Sequence, residues 1–286
     1  MTTSNSTSAP PIWTTSLSET TAETIAIRGY DIAELIGAVP FPAVVHLLYT
    51  GELPDPPTAR LIDALMVASI DHGAGAPSVL AARTAVSGGA TLQAAAAAGL
   101  LTLGEFHGAA VESSMRAIAT VVDATRAAGS SSMSTAADDL VADWRAHGKR
   151  IPGFGHRQHK RRDPRLDRLL SIARDADVSG DHLAAAVALE AALTRAVGKP
   201  TPINIDGVMA AILNEVGFPS DLGNALFIAS RLAGILAHAN EEHQTMTPMR
   251  RVDPMNHGYS GPDRRAVPAR AMPSQASEAR ASGVPQ

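Results

Sequence analysis

The chain has 286 residues, 45% of them hydrophobic, enough for a sizeable core in one large domain or two closely packed ones. Charged residues make up 18% and the formal net charge is -4, so neither a nucleic-acid surface nor a membrane-surface face is implied. Cysteine is absent, which excludes disulfides, thiolate nucleophiles and zinc–thiolate sites.

Residues 1 to about 11 are rich in Ser, Thr and Pro and are expected to be disordered. They have neither a basic start nor an apolar core, so no signal peptide is expected, and no apolar run reads as long enough to span a bilayer. The expectation is a soluble cytoplasmic protein. Alanine-rich segments and an aromatic content of 3% favour close helix packing over sheets.

Trp13 to Ile27 contains β-branched runs that predict a short hairpin, with a turn at Arg28-Gly29-Tyr30. Asp31 suits the cap of a helix over Ile32 to Ala38, and Phe41 to Tyr49 continues at helical spacing. Pro57 to His72 predicts the next helix, with Gly73 as its left-handed C-cap. His72 then sits at a helix C-terminus, where the dipole favours imidazolium; the plain alternative is a surface histidine helping to cap its helix. Pro77 to Ser87 and Thr91 to Leu103 predict two more helices joined through Gly88-Gly89. His107 falls near the start of a helix over Val111 to Ala127. There a neutral imidazole serves as a hydrogen-bond donor rather than a general base, the alternative being a capping or core histidine.

A helix over about Thr135 to His147 leads into the most chemically loaded stretch, Ile151 to Arg165. Pro152, Gly153 and Gly155 make a turn that can carry backbone close to a ligand. His156 stands at its exit. Lys160, Arg161, Arg162 and Arg165 then crowd positive charge into a helix entry capped by Asp163 and opened by Pro164. An imidazole beside arginines suits a small polyanion bearing a carbonyl or hydroxyl; the alternative is a solvated basic helix end.

His182 to Val197 is alanine-rich helix, and another is expected over Val208 to Val216. Asp206 is either its N-cap or a carboxylate of raised pKa able to take a proton from carbon. Ser220 is expected to cap a long helix to about Ala239. Arg231 lies in its apolar middle, where it needs a partner: a bound carboxylate or an internal salt bridge. Arg250-Arg251 follow, and beyond Pro254 the Pro-, Arg-, Ser- and Ala-rich sequence predicts a disordered tail. No stretch completes a dinucleotide or P-loop fingerprint. His156 and His159 lack a nearby third ligand, and His238 and His243 bracket Glu241-Glu242 at the wrong spacing for a zincin, so no metal is expected.

As an ordered set, several of these segments resemble the signatures of the citrate synthase superfamily. They are Arg28 to Leu35, Gly51-Glu52-Leu53-Pro54, Asp71-His72-Gly73, Phe106-His107-Gly108-Ala109, Pro152 to His156 with Asp163-Pro164-Arg165, Asn204-Ile205-Asp206, and Ser230-Arg231. The resemblance implies a mainly α-helical fold with a large and a small helical domain and a short N-terminal β-hairpin. It implies one catalytic unit over residues 12–253, its small-domain part at about 148–220, and a tail over 254–286. It makes Asp206 the carboxylate that moves the proton at the acetyl-CoA methyl and His107 the donor to the thioester carbonyl. His156 is implied to hydrogen-bond the oxaloacetate carbonyl or citrate hydroxyl. His72, Arg165 and Arg231 would hold the oxaloacetate portion, helped by Arg250 or Arg251 across a dimer interface. Lys160, Arg161 and Arg162 would meet CoA phosphates. Coenzyme A enters as part of the substrate, with no permanent cofactor, and a homodimer or higher homo-oligomer is implied.

Only residues 55–70 separate the Glu-Leu-Pro turn from Asp71-His72-Gly73, where full-length citrate synthases carry a long helical insertion. The short form looks most like citryl-CoA lyase and the C-terminal module of ATP-citrate lyase. The implied reaction is cleavage of citryl-CoA to acetyl-CoA and oxaloacetate. The alternatives are a short citrate or 2-methylcitrate synthase and a noncatalytic acyl-CoA-binding subunit.

Overall fold

The computed structural model describes residues 13–129, 132–155, 162–251 and 258–266. Three short strands come first: β1 (Ser18–Thr20), β2 (Ile25–Ile27) and β3 (Tyr30–Asp31), antiparallel in that order. Glu19 stands opposite Ala26, and Ala26 opposite Asp31. The expected hairpin therefore has a third strand. Arg28 and Gly29 alone turn the chain, with φ of 50° and 88°, as a two-residue hairpin turn requires, so Tyr30 is already strand.

Eleven α-helices follow among the described residues. They are α1 (Ile32–Leu35), α2 (Phe41–Thr50), α3 (Pro56–Ser69), α4 (Pro77–Ser87), α5 (Leu92–Leu100), α6 (Val111–Ala128), α7 (Met133–Ala146), α8 (Pro164–Asp175), α9 (Asp181–Val197), α10 (Ile205–Glu215) and α11 (Gly223–Thr245). Their starts are set by local chemistry. Asp31, Asp55, Thr91, Ser132, Asp163 and Asn204 each accept a backbone N–H of the first turn, and α3, α4 and α8 open on proline.

Several helices end or begin away from the expected places. Helix α1 stops at Leu35, not Ala38, and α5 at Leu100, not Leu103. Helix α3 stops at Ser69, so His72 lies in the loop beyond it and not on its C-terminus. Helix α10 starts at Ile205, not Val208, because Asn204 supplies the cap. Helix α11 runs on to Thr245, after a 3₁₀ turn at Ser220–Leu222. By length and apolarity alone, 220–245 could cross a bilayer, contrary to the expectation from sequence. It is instead a core helix, packed on α3, α4, α5 and α6 and burying Arg231 and Glu242.

The main core gathers α2, α3 and α6 to α10 around side chains such as Leu61, Met115, Leu189 and Met209. A second, small-residue core lies under the α4–α5 pair, built from Ala76, Val79, Ala82, Val86 and Ala95. Helix α11 enters both, with Leu226 and Phe227 in the first and Ile235 and Ala239 in the second. A buried ion pair, Arg83 to Glu242 at 2.8 Å, ties α4 to the far end of α11. These elements form one unit, 1–249; a second comprises 250–286, where the described residues are exposed and lack helix or strand.

Candidate active site

The turn at 152–155 and the start of α10 are one assembly. Phe154 pairs with Ile203 in an antiparallel bridge. Gly155 donates its N–H to Pro202 O at 2.7 Å, and Asn204 donates to Gly153 O at 3.0 Å. The Asn204 side chain adds a bond to Gly155 O at 2.9 Å. Its Oδ1 meanwhile accepts from the backbone N–H groups of Asp206 (2.9 Å) and Gly207 (3.2 Å). Asp206 is thus not the N-cap; Asn204 does that work and leaves the aspartate's carboxyl uncommitted.

That carboxyl is held in an unusual state. Its Oδ1 is sealed from solvent and has no hydrogen-bond partner among the described residues. Burial pushes its pKa up to about 6, opposed by Arg231 and then Arg165, and reinforced by Asp163. A buried, unsatisfied carboxyl oxygen is a cost to folding that structural needs do not explain. Titrating near neutrality, it can both take and return a proton.

Two arginines converge on the C-terminal end of α3, where helix carbonyls lack intrahelical partners. Arg165 Nη1 donates to Ala68 O at 3.0 Å, and Arg231 Nε donates to Ser69 O at 2.7 Å. Arg165 is also clamped by Asp163, which is 1% exposed: Nε to Oδ1 at 2.9 Å and Nη2 to Oδ2 at 2.7 Å. That side-on clamp leaves N–H bonds on Nη1 and Nη2 for a ligand carboxylate. Arg231, 2% exposed, lies 4.7 Å from the centroid of the Phe227 ring. The internal salt bridge considered for it is absent among the described residues. Burial lowers its pKa while Asp206 and Asp71 raise it, so both carboxylates act on it through space. It remains a cation.

His107 meets a helix N-terminus, but of α4 rather than α6. Ser78 donates its backbone N–H to Nε2 at 3.2 Å, and the Ser78 hydroxyl lies 2.9 Å from the same nitrogen. Nε2 therefore accepts, and the ring proton belongs on Nδ1, an assignment made from this geometry. The positive end of α4 disfavours imidazolium, so the ring is a neutral N–H donor. His72 is exposed in the loop after α3. Its neighbour Asp71 accepts from Gly73 N–H at 3.0 Å and from His238 at 3.2 Å.

His156, Lys160 and Arg161 lie outside the described residues. Arg162 is half-exposed and pairs with Asp167, Nε to Oδ2 at 2.9 Å. Arg250 and Arg251 are exposed at the start of the second unit. The structure therefore places Arg231 and Arg165 on neighbouring carbonyls of α3 and links both to Asp206 by charge. It adds partners whose roles sequence did not disclose: Ser78 behind His107, Asp163 behind Arg165, Asn204 beneath Asp206. Asp163 and Asn204 had local signals, as caps; Ser78 had none, being 29 residues from its partner.

Residues 54–252 match the model of the citrate synthase family, C-terminal domain. A citrate synthase of Haloferax volcanii is 30% identical over 222 residues, 76% of this chain and 55% of that protein. The chain spans about half the length of the curated relatives it matches. The solved structure of citryl-CoA lyase from Hydrogenobacter thermophilus is 36% identical, with a TM-score of 0.81, over 91% of this chain and 99% of that one. An ATP citrate lyase of Methanosaeta concilii in complex with (3S)-citryl-CoA shares the fold, with a TM-score of 0.77, at 22% identity over 89% of this chain and 42% of that one.

Proposed function

The chain belongs to the citrate synthase family, and from that premise we propose that it cleaves (3S)-citryl-CoA to acetyl-CoA and oxaloacetate. The observation that carries this reading is Asp206: a carboxyl with one buried, unpartnered oxygen and a pKa near 6, acted on by the charges of Arg231 and Arg165. The short form supports the lyase over a synthase, and so does the likeness to the Hydrogenobacter thermophilus lyase, at 36% identity and a TM-score of 0.81.

The tertiary hydroxyl of citryl-CoA loses its proton to His156. The bond between the carbinol carbon and the methylene beside the thioester breaks, and its electrons enter the thioester enolate. The N–H on His107 Nδ1 donates to the enolate oxygen, and Asp206 in its acid form protonates the carbon to give the acetyl methyl. Oxaloacetate leaves from His72, Arg165 and Arg231, which orient its carboxylates. In a homodimer or higher homo-oligomer, Arg250 or Arg251 of one protomer joins the site of its partner. Lys160, Arg161 and Arg162 meet the phosphates of CoA, which is substrate rather than resident cofactor.

The test is purified full chain with synthetic citryl-CoA, following oxaloacetate and free thiol in parallel. Oxaloacetate release without thiol is expected. Given acetyl-CoA and oxaloacetate, the protein should liberate CoA slowly or not at all, because hydrolysis needs a placed water and a stabilised tetrahedral oxyanion while C–C cleavage needs neither. Rapid thiol release with stoichiometric citrate overturns the lyase in favour of a synthase. Inertness in both assays with acyl-CoA still bound favours a binding subunit.

A further inference from the structure

We propose that His238 is a positioning residue that, through Asp71, fixes the loop carrying His72 beside Arg231. This rests on the reading above, in which His72 and Arg231 hold the dicarboxylate portion of the substrate. Residues 231, 234 and 238 share one face of α11. Each meets the last residue of α3 or the chain just after it. Arg231 Nε donates to Ser69 O. At Gly234 the backbones touch: an added Cβ would overlap Ile70 O and lie 3.1 Å from the Asp71 Cβ. His238 Nε2 lies 3.2 Å from each carboxylate oxygen of Asp71. Asp71 in turn accepts the Gly73 N–H at 3.0 Å, and the His72 N–H also bears on it. One carboxylate therefore fastens the backbone on either side of the His72 side chain to α11.

The charged groups facing His238 are Asp71 and, 3.9 Å from Nδ1, Glu241. Nε2, facing two carboxylate oxygens, is the donor to Asp71. The Asp71 side chain is 38% exposed, so the pair adds little to global stability and its value is orientation. An open cavity of about 380 Å³, lined by Ile70, Asp71, Gly234, His238 and Glu241 among others, adjoins the pair.

The experiment uses the full chain with His238→Leu, His238→Gln, His72→Ala and the Leu–Ala double variant. Glutamine can place an amide N–H where Nε2 stands; leucine cannot. In His238→Leu, amide exchange over residues 70–76 should quicken and affinity for oxaloacetate or citrate should fall about tenfold, the scale of one charged hydrogen bond. Acetyl-CoA affinity and melting temperature should hold, and His238→Gln should restore both losses. In the His72→Ala background, His238→Leu should cost no further affinity. Unchanged exchange over 70–76, or affinity losses that fully add, overturns the inference. A wild-type protein that binds neither oxaloacetate nor citrate overturns the proposed function instead, and the exchange measurement then decides this inference alone.

Discussion

Gly153 and Gly207 meet backbone to backbone. A Cβ on Gly153 would lie 2.8 Å from the Gly207 Cα, and one on Gly207 would overlap the Gly153 carbonyl. Gly153 also has φ of 86°, which side chains resist. The contact seats the turn that leads to His156 on the helix turn that carries Asp206.

Gly207→Ala should therefore cost more than its helix propensity suggests. We expect about 2–4 kcal/mol of destabilisation from overpacking, together with a loss of turnover. Gly198→Ala is the control. Its φ of 72° is strained, but nothing lies within 4 Å of the added methyl, so about 1 kcal/mol and full activity are expected. Denaturant titration and assay of both variants check this; equal costs would deny the close contact any importance.

Asp206→Asn should lower turnover by about 10²–10⁴-fold, the scale of a positioned acid–base group, without lowering stability. The carboxyl moves from 3.8 in its ordinary state to about 6 in the fold. Between those values the folded chain keeps a proton that the unfolded chain releases, so wild-type stability falls as pH rises through that window. At neutral pH the cost is on the order of 1–3 kcal/mol. Asparagine escapes it. The variant's melting temperature should match wild type near pH 4 and exceed it at pH 7; a lower melting temperature at pH 7 would make Asp206 a structural residue.

Arg231→Leu strands the Ser69 carbonyl rather than a carboxylate. The expected cost is about 1–3 kcal/mol, below the about 3–5 kcal/mol of a broken buried ion pair. Dicarboxylate affinity should fall. Because Arg231 holds the Asp206 pKa down, the pH dependence attributed to Asp206 should move upward. Calorimetric titration and a pH–rate profile measure both, and unchanged dicarboxylate affinity would end its role as a substrate ligand.

Asp163→Asn keeps a side chain that caps α8 but removes the charge that clamps Arg165 and raises the Asp206 pKa. Dicarboxylate affinity should weaken, and the pH dependence should shift downward, opposite to Arg231→Leu. Shifts of the same sign in the two variants would separate the pH profile from Asp206.

Most helices were legible because their starts carry local signals, such as Asp55-Pro56, Pro77, Thr91 and Asp163-Pro164. The errors lie where tertiary contacts decide. Gly73 looked like a C-cap for α3, but Ser69 O is satisfied by Arg231, 162 residues away, and the helix ends there. The expected end of α11 near Ala239 falls short because Glu242 is buried on Arg83 and the helix continues to Thr245. Asp206 could not be told from a cap until Asn204 was seen to fill that place. The candidate residues came from an ordered set of short motifs; the bonds that orient them span distances no local pattern records.

Helix α11 has a consequence for how the molecule comes apart. Its early turns belong to one hydrophobic cluster and its later turns to the other, with Arg231 between them. Neither cluster can melt without tearing the same helix from its remaining neighbours. Heating should then produce a single heat-absorption peak for 1–249, with equal calorimetric and van't Hoff enthalpies. An anion bound at Arg231 would raise that whole transition by mass action rather than quiet a local segment.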